Sequence, residues 1–348
     1  MITASIIGAS GYSGFEILRL LAARNDVVLK KAMASTSAGT RIDEFYPALT
    51  GLVNGVFEPT DPEQLAENDV VFAALPSGEA MKVVPSLLQK GPRVIDLSGD
   101  FRLPVRSLYE EYYPHRHIAE PLCREAVYGL PELNRDSIAE ARLVANPGCY
   151  ATSIILGLLP LLSANVIAST QISICSMSGV SGAGRTSTVD MSFAEINDNI
   201  RAYKILKHQH IPEIEWVLGR AAHQAVTVSF VPHLVPLTRG IYTSITGRLE
   251  ADITDADVAD LFLSFYRSSP FVRYRRHIPQ IRDVVYTNYC DITCMVDRRT
   301  GSVIVLSVLD NLVKGAAGQA IQNMNLMFGL PEHLGLLQKG VTEQCTNA

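Results

Sequence analysis

The sequence of 348 residues lacks any uninterrupted apolar run of the roughly 18 to 20 residues that a membrane-spanning helix needs. The best candidate, residues 154–162, is too short and contains Pro160. The first eight residues, MITASIIG, include no basic residue and therefore do not resemble a signal peptide. We expect a soluble, cytoplasmic protein with no membrane partner.

Metal-site cysteine patterns are also missing. The six cysteines are scattered and form no CxxC pair, and Cys290 and Cys294 lack partners at zinc-site spacing. Such thiols suit a reducing compartment better than a disulfide-bonded secreted fold. A net charge of −5 without a basic cluster argues against a surface that binds nucleic acid.

Length and composition predict two domains, because 348 residues exceed one ordinary core and 47% apolar residues are typical of globular proteins. In the first part of the chain, apolar strand segments alternate with amphipathic helices. This alternation predicts a buried parallel sheet in a Rossmann-type, doubly wound α/β domain. The predicted strands are residues 4–7, 27–34, 70–75 and 93–97, and the predicted helices are residues 13–23 and 79–90.

After residue 148 strand-like runs dominate. The run at 241–249 alternates apolar and polar side chains, as in an antiparallel sheet with one covered face, although Thr243 falls on the apolar side. We predict an α+β domain with a mostly antiparallel sheet. Its predicted strands are residues 171–177, 225–230, 241–249, 291–297 and 302–308; helices are predicted at 255–266, with Thr254 as N-cap, and at 316–328.

A glycine-rich loop joins the first strand to the first helix. Its GxxGxxG spacing is a variant of the dinucleotide fingerprint, in which glycines permit a tight turn and bring the backbone close to pyrophosphate at the helix N-terminus. An ordinary glycine-rich turn is the alternative, but the strand–loop–helix context favours a cofactor site. The residues expected to bind cofactor here are Gly8, Ser10, Gly11, Tyr12, Ser13 and Gly14.

The end of the second strand indicates which cofactor. An NAD site typically has an acidic residue there to hold the ribose 2′-hydroxyl. This chain instead has Ser35 and Thr36, with Arg41 farther on. Hydroxyls and a guanidinium suit the 2′-phosphate of NADP, so NADP is the predicted cofactor and a plain polar loop is the alternative.

The tetrapeptide Asn-Pro-Gly-Cys at 146–149 lies between two apolar runs, which predicts a strand, a sharp turn and a helix that begins near Cys149. Unpaired N–H groups and the helix dipole favour an anion at that position. A thiol placed there becomes a nucleophile near neutral pH. Taken alone, the tetrapeptide favours a small, buried, unreactive cysteine, and the other motifs are what favour a nucleophile.

His208 and His210 precede Glu213 in the segment His-Gln-His-Ile-Pro-Glu. Histidines two residues apart do not share a helix face, and without a third ligand we predict no metal site. A thiolate enzyme needs a proton donor and acceptor near neutral pH, which histidine supplies. Glu213 would orient one of the two rings.

Polar residues also follow other predicted strands. Ser178, Gly179 and Ser181 lie in a donor-rich loop that would line the nicotinamide or the substrate, or form a plain turn. Asn311 would reach the nicotinamide carboxamide, or cap the last helix. Arg102 would bind a carboxylate or phosphate, or pair with an acidic neighbour such as Asp100 or Glu110.

Together these motifs resemble the N-acetyl-gamma-glutamyl-phosphate reductases of arginine biosynthesis, within the wider family of aspartate-semialdehyde and glyceraldehyde-phosphate dehydrogenases. The segments at 128–132 and 208–213 resemble this member more than its relatives. The resemblance covers nearly the whole chain, and is carried by residues 8–14, 74–78, 96–102, 128–132, 146–150, 208–210 and 311–316.

The resemblance implies NADPH-dependent reduction of N-acetyl-gamma-glutamyl phosphate to the semialdehyde and phosphate through a cysteine thioester. Cys149 would be the nucleophile and His210 the acid/base, while Ser77 would join the cofactor-binding residues. The substrate would contact His208, Arg102, Glu213 and Ser181. Alternatives are a reductase of another acyl phosphate such as aspartyl phosphate, a non-redox cysteine acyl-transferase or hydrolase, and an NADP-sensing regulator.

The resemblance also implies a discontinuous first domain, because the last helix returns to it. The predicted NADP-binding domain comprises residues 1–148 and 312–348, and the catalytic, substrate and oligomerisation domain comprises residues 149–311. We expect a homodimer or homotetramer that assembles through the sheet of the second domain.

Overall fold

The computed structural model describes residues 1–185 and 188–337. The chain divides into two compact units. The first comprises Met1–Pro147 and Ala316–Leu337, and the second comprises Gly148–Gly315. Residues 338–348, which the sequence analysis assigns to the NADP-binding domain, lie outside the described residues.

The first unit is built on a six-stranded sheet in which every neighbouring pair of strands is parallel. Its strands are β1 (Ile2–Ile7), β2 (Val27–Met33), β3 (Val70–Ala73), β4 (Arg93–Asp96), β5 (Val127–Tyr128) and β6 (Leu143–Ala145). Their order across the sheet is β2-β1-β3-β4-β6-β5. All four residues of β3 are buried, as expected for a strand in a parallel sheet. The doubly wound prediction is confirmed.

Helices connect these strands. They are α1 (Tyr12–Ala22), α2 (Ile42–Phe45), α3 (Ala80–Lys90), α4 (Arg106–Tyr112), α5 (Glu120–Glu125) and α6 (Pro131–Glu140). Asp100, fully buried after β4, accepts the N–H groups of Gly78 and Met81 at the start of α3. It also accepts the hydroxyl of Tyr109 from α4. One carboxylate therefore anchors two helix segments beside the carboxyl end of β4.

The second unit contains a seven-stranded mixed sheet of order β11-β12-β13-β10-β7-β9-β8. Its strands are β7 (Ile172–Gly179), β8 (Arg201–Ala202), β9 (Val228–Val235), β10 (Ile241–Arg248), β11 (Val272–Tyr274), β12 (Cys290–Asp297) and β13 (Ser302–Leu309). The β7–β9 and β11–β12 pairs are parallel. The other four pairs are antiparallel, as predicted for most of this sheet.

The helices of the second unit are α7 (Cys149–Ser163), α8 (Phe193–Ile196), α9 (His210–Ala222) and α10 (Asp255–Phe265). Buried residues run along nearly all of α7, which packs against β10 and β13. Thr254 caps α10 as predicted, since its hydroxyl and the carboxylate of Asp257 form a capping box. Short 3₁₀ turns across the two units are Pro47–Leu49, Pro62–Leu65, Val180–Ala183, Val189–Met191 and Ile281–Asp283.

Thr243, which interrupts the predicted alternation of β10, is fully buried. Its hydroxyl lies 2.9 Å from that of Ser153 on α7 and 2.9 Å from that of Ser176 on β7. Ser153 also donates to Ser307 on β13. These four hydroxyls satisfy one another, which explains why polar side chains occur between the helix and the sheet.

The predicted strand at 225–230 was placed too early, because β9 begins at Val228 and continues to Val235. Pro232 suggests a strand end, since proline cannot donate a ladder hydrogen bond. In the structure β8 pairs with β9 only at His233 and Leu234, so this side of β9 is largely open and tolerates Pro232.

The predicted last helix differs at its start. Val313–Ala317 form a π-helical turn, and α11 (Gly318–Met327) follows in the first unit. Polar residues of α11 are buried there: Gln319 and Asn323 both donate to the carbonyl of Gly129. Asn323 also donates to the side chain of Asn146.

The turn between β1 and α1 requires glycine at Gly8. Its φ is +81°, and a Cβ atom there would overlap the carbonyl of Ala74. At Gly14 a Cβ atom would overlap the carbonyl of Gly8. The first turn of the helix and the loop are thus packed backbone against backbone, as the fingerprint requires.

We predict that Gly8→Ala costs about 3 kcal/mol or more of unfolding free energy, because left-handed strain adds to the steric overlap. Gly39→Ala is the matched control, since Gly39 has a φ of +83° with no atom within 4 Å of the added Cβ. It should cost only about 1–2 kcal/mol. Urea unfolding measures the free energy of unfolding of both variants. Equal losses of stability in the two variants would contradict the close packing at Gly8.

Candidate active site

Cys149 is the first residue of α7 and is half-buried. Gly148 precedes it in extended backbone, with φ −71° and ψ 147°. The thiol therefore lies at the N-terminus of a helix of 15 residues that has no acidic side chain in its first turn. Unpaired N–H groups and the positive end of the dipole favour a thiolate at this position.

His210, the first residue of α9, lies directly against Gly148. A Cβ atom on Gly148 would overlap the imidazole of His210, so only glycine permits this approach. The ring of Tyr150 is 6.0 Å from that of His210. Both chain neighbours of Cys149 thus lie close to His210, a side chain that can carry a proton near neutral pH.

Glu213 holds the turn before Cys149. Its carboxylate is fully buried in the first turn of α9, and its Oε1 accepts the N–H of Gly148 at 2.8 Å. A carboxylate is favoured at this helix end by the dipole. The contact supports a positioning role, whereas contact with substrate stays a prediction.

His208 is enclosed by aromatic rings. Its centroid lies 5.5 Å from Tyr150, 5.5 Å from Tyr203 and 5.4 Å from Phe230. Burial, with a smaller effect of neighbouring His210, lowers the pKa of His208 to about 2. His208 is therefore neutral at physiological pH, and its Nδ1 accepts the backbone N–H of His210 at 3.1 Å. This hydrogen bond fixes the start of α9.

Gly315 approaches Cys149 from the other side. A Cβ atom on Gly315 would lie 2.8 Å from the Cβ of Cys149. The N–H of Gly315 donates to the carbonyl of Asp310, and the fully buried carboxylate of Asp310 accepts from Val313 and pairs with Arg239. The sequence analysis missed Asp310, although an acidic residue two positions after the predicted strand at 302–308 was a usable signal.

The predicted residues of the Ser178 loop are joined to the end of β13. The amide of Asn311 donates to the hydroxyl of Ser181 and accepts the N–H of Gly240. Ser178 donates to the carbonyl of Gly179. Asn311 therefore fixes the loop rather than capping the following turn, and its contact with the nicotinamide stays a prediction.

In the first unit, the loop after β1 fits a dinucleotide. Gly11 is the N-cap of α1 and supplies no side-chain capping bond. The hydroxyl of Tyr46 donates to the carbonyls of Ser10 and Gly11, which fixes the loop. Together with the close packing at Gly8 and Gly14, this leaves a rigid backbone cradle at a helix N-terminus, which suits pyrophosphate.

Other predicted cofactor residues lie around this sheet. Tyr12 and Ser13 are in the first turn of α1, and Ser35 and Thr36 are exposed after β2. Ser77 follows β3 and accepts a backbone N–H at 3.3 Å. These positions are at the carboxyl ends of parallel strands, where such sheets bind ligands.

Arg102 donates to two backbone carbonyls, with Nε 2.8 Å from Asn146 and Nη2 3.0 Å from Leu97. It therefore ties together the residues that follow β6 and β4. Glu110, one suggested alternative partner, accepts instead from Arg106. A further role of Arg102 in binding substrate stays a prediction.

A buried pair of carboxylates at the end of β4 was also missed. Burial, followed by the charge of Asp100, raises the pKa of Asp96 to about 7. Asp96 accepts two hydrogen bonds from Ser98, while Asp100 anchors α3. The pair shapes the loop that leads to Arg102.

Among the described residues, no group of three His, Cys, Asp or Glu side chains could hold a metal ion. No helix in that part of the chain is long and apolar enough to cross a membrane.

Residues 3–141 match the semialdehyde dehydrogenase NAD binding domain, and residues 149–311 match the semialdehyde dehydrogenase dimerisation domain. The N-acetyl-gamma-glutamyl-phosphate reductase of Pelotomaculum thermopropionicum is 47% identical, over 97% of this chain and 98% of the relative. That of Symbiobacterium thermophilum is 48% identical over the same shares. The chain belongs to the N-acetyl-gamma-glutamyl-phosphate reductase family. The resemblance predicted from the motifs is confirmed.

Solved structures agree with this family at the level of the fold. Aspartate semialdehyde dehydrogenase II of Vibrio cholerae superposes with a TM-score of 0.73 at 18% identity, covering 94% of this chain and 98% of that chain. The predicted fold class is therefore confirmed. As a reductase of this family, the chain has a domain for a nicotinamide cofactor and a domain of the dimerisation type.

We predict that His208 makes the second unit sensitive to acid. The pKa of His208 is lowered on folding, so the unfolded chain binds more protons below pH 6.5. Its stabilisation is fully present above pH 6.5 and is lost progressively as the pH falls. Between pH 7.5 and 5.0, native protein should lose about 2 kcal/mol more unfolding free energy than His208→Gln.

Urea unfolding of both proteins at the two pH values measures this difference, and other titrating groups cancel in the comparison. Glutamine keeps an oxygen acceptor for the N–H of His210. Identical pH dependence would show that His208 is not held neutral by burial.

Proposed function

We propose that this chain reduces N-acetyl-gamma-glutamyl phosphate to N-acetyl-glutamate semialdehyde and phosphate, with NADPH, in arginine biosynthesis. The names of relatives that match nearly the whole chain support this reaction. The observation that carries it is a cysteine at a helix N-terminus beside a histidine that only glycine at position 148 admits. This pair suits transfer of an acyl group to sulfur.

The first half-reaction forms a thioester. The Cys149 thiolate attacks the carbonyl carbon of the acyl phosphate, the carbon–oxygen bond to phosphate breaks, and phosphate leaves with the bonding electrons. Backbone N–H groups at the start of α7 stabilise the oxyanion that develops during attack. Glu213 fixes Gly148 and thereby the direction of the Cys149 backbone.

The second half-reaction releases the semialdehyde. A bound nicotinamide cofactor supplies hydride to the thioester carbon. His210 donates a proton to the resulting oxygen of the Cys149 thiohemiacetal, and takes it back as the carbon–sulfur bond breaks. The thiolate of Cys149 is then restored at the helix N-terminus.

Binding roles follow from the same proposal. His208, Arg102, Glu213 and Ser181 are assigned to the substrate. NADP(H) is assigned to Gly8, Ser10, Gly11, Tyr12, Ser13, Gly14, Ser35, Thr36, Ser77, Ser178, Gly179 and Asn311. Residues 1–148 with 312–348 form the NADP-binding domain, and residues 149–311 form the catalytic and oligomerisation domain of a cytoplasmic homodimer or homotetramer.

The reaction itself is tested by NADPH formation in the reverse direction from N-acetyl-glutamate semialdehyde, phosphate and NADP. We expect turnover with this aldehyde at a kcat/KM at least about 100-fold above that with aspartate semialdehyde, because the pocket must accept a longer, acylated chain. Preference for aspartate semialdehyde would contradict the assigned substrate.

We predict that Cys149→Ser lowers turnover by about 10³-fold or more, because a serine hydroxyl is not ionised near neutral pH. The Kd for NADPH, measured by fluorescence titration, should stay within about twofold of the native value. Cys175→Ser is the control for removal of a half-buried thiol elsewhere in the same unit, and should keep full activity.

We predict that His210→Asn lowers kcat by about 10²- to 10⁴-fold and removes one limb of its pH dependence. Asparagine is polar but does not titrate, so the shape of the profile separates proton transfer from packing. A profile of unchanged shape would exclude His210 as the acid/base.

We predict that Arg41→Ser raises the Kd for NADPH about tenfold and leaves the Kd for NADH unchanged, because only NADPH carries the 2′-phosphate. Arg41 is exposed and pairs with Asp43 at 2.7 Å, so it can exchange that partner for a phosphate. NADH is the internal control for folding. Equal changes for both cofactors would contradict this role.

A further inference from the structure

A cavity of about 960 Å³ lies in the second unit between the C-terminal end of α10 and the edge strand β11. Its volume is typical of small-molecule sites. Neither α7 nor α9, which carry Cys149 and His210, contributes to its lining. The reaction described above therefore leaves this cavity without a role.

Arginines dominate the charged lining: Arg267, Arg273, Arg275 and Arg276 contribute to it, against the single carboxylate of Asp260. The chain as a whole has a net charge of −5. The cavity is therefore locally positive although the protein as a whole is negatively charged. Its positive electrostatic potential attracts anions. The sequence analysis overlooked the basic run at 273–276, which is visible in the sequence, whereas Arg267 joins it only in the folded unit.

Two of these arginines share one carboxylate. Arg273 donates through Nε and Nη2 to both oxygens of Asp291, at 2.5 and 2.9 Å. Arg275 directly follows β11, two residues after Arg273, and its Nε is 3.5 Å from the same carboxylate. That Nε is buried and makes no hydrogen bond within the described part of the chain.

One carboxylate neutralises only one guanidinium, so a positive charge remains at Asp291. Arg276 is exposed at the same cavity and adds a second positive charge. A partly buried cation is stabilised by an anion that also satisfies its donors. Serine hydroxyls in the lining, from Ser264 and Ser269, offer further donors.

We propose that this cavity binds a small phosphate-bearing anion, held by Arg275 and Arg276. Guanidinium groups match phosphate oxygens bidentately, and two surplus positive charges suit a multiply charged ligand better than a monocarboxylate. The site is separate from the catalytic centre and does not depend on the proposed function.

Pyrophosphate is the probe. Isothermal titration of the full-length protein at constant ionic strength should show saturable binding that Arg276→Gln weakens about tenfold. Arg282→Gln removes the same charge from a neighbouring arginine that does not line the cavity and is 79% exposed. It should bind pyrophosphate with the native affinity.

Arg275→Lys keeps the positive charge but loses the planar fork, and should also weaken binding. The thermal unfolding midpoints of Arg275→Lys and Arg276→Gln, measured without anion, should match that of the native protein. Their KM values for phosphate in the reverse reaction should also match the native value. Equal pyrophosphate affinity in native and Arg276→Gln proteins would overturn the proposal and place the bound anion elsewhere. Equal weakening by Arg282→Gln would also overturn the proposal, because it would show that the overall charge of the protein, and not the cavity, determines pyrophosphate binding.

Discussion

The arrangement around Cys149 depends on the absence of a side chain at Gly148. His210 occupies the space that a Cβ atom would fill, and the buried carboxylate of Glu213 binds the N–H of the same residue. One backbone position is therefore held by two residues of α9 at once. Because Cys149 follows directly, the direction of the thiol is set by helix α9 as much as by its own helix. Any residue larger than glycine at this position would displace the imidazole of His210 from the residue that precedes Cys149.

Neutral, buried groups support this arrangement more than ion pairs do. His208 stays uncharged within aromatic rings and still accepts the N–H of His210. Beneath α7, Ser153 and Thr243 satisfy each other's hydroxyls. Such contacts satisfy buried polar groups without placing additional charges near Cys149 and His210. Two buried carboxylates are charged supports: Glu213 accepts the N–H of Gly148, and Asp310 pairs with Arg239 and accepts backbone N–H groups.

Local patterns in the sequence were sufficient for much of the fold and part of the site. The glycine loop, the Thr254 cap and the helix start at Cys149 are each encoded within a few neighbouring residues, so spacing and residue type predict them. Features that depend on distant residues were missed. Asp310 accepts a hydrogen bond from Arg239, which lies 71 positions away in the chain. Arg267 joins the arginines of residues 273–276 at the α10–β11 cavity only when helix and strand pack. The strand around Pro232 was misplaced because openness of a sheet edge is a tertiary property.

The return of α11 to the first unit has a consequence for biosynthesis. Asn323 and Gln319 bind the carbonyl of Gly129, and Asn325 binds the guanidinium of Arg24, which lies 301 positions earlier in the chain. While the ribosome is still producing the second unit, the first therefore lacks the helix that satisfies these buried polar groups. The N-terminal part of the first unit therefore cannot complete its buried hydrogen bonds until the final tenth of the chain has been synthesised. Truncation near the C-terminus would thus damage the cofactor unit, although it is the part of the protein that is made first.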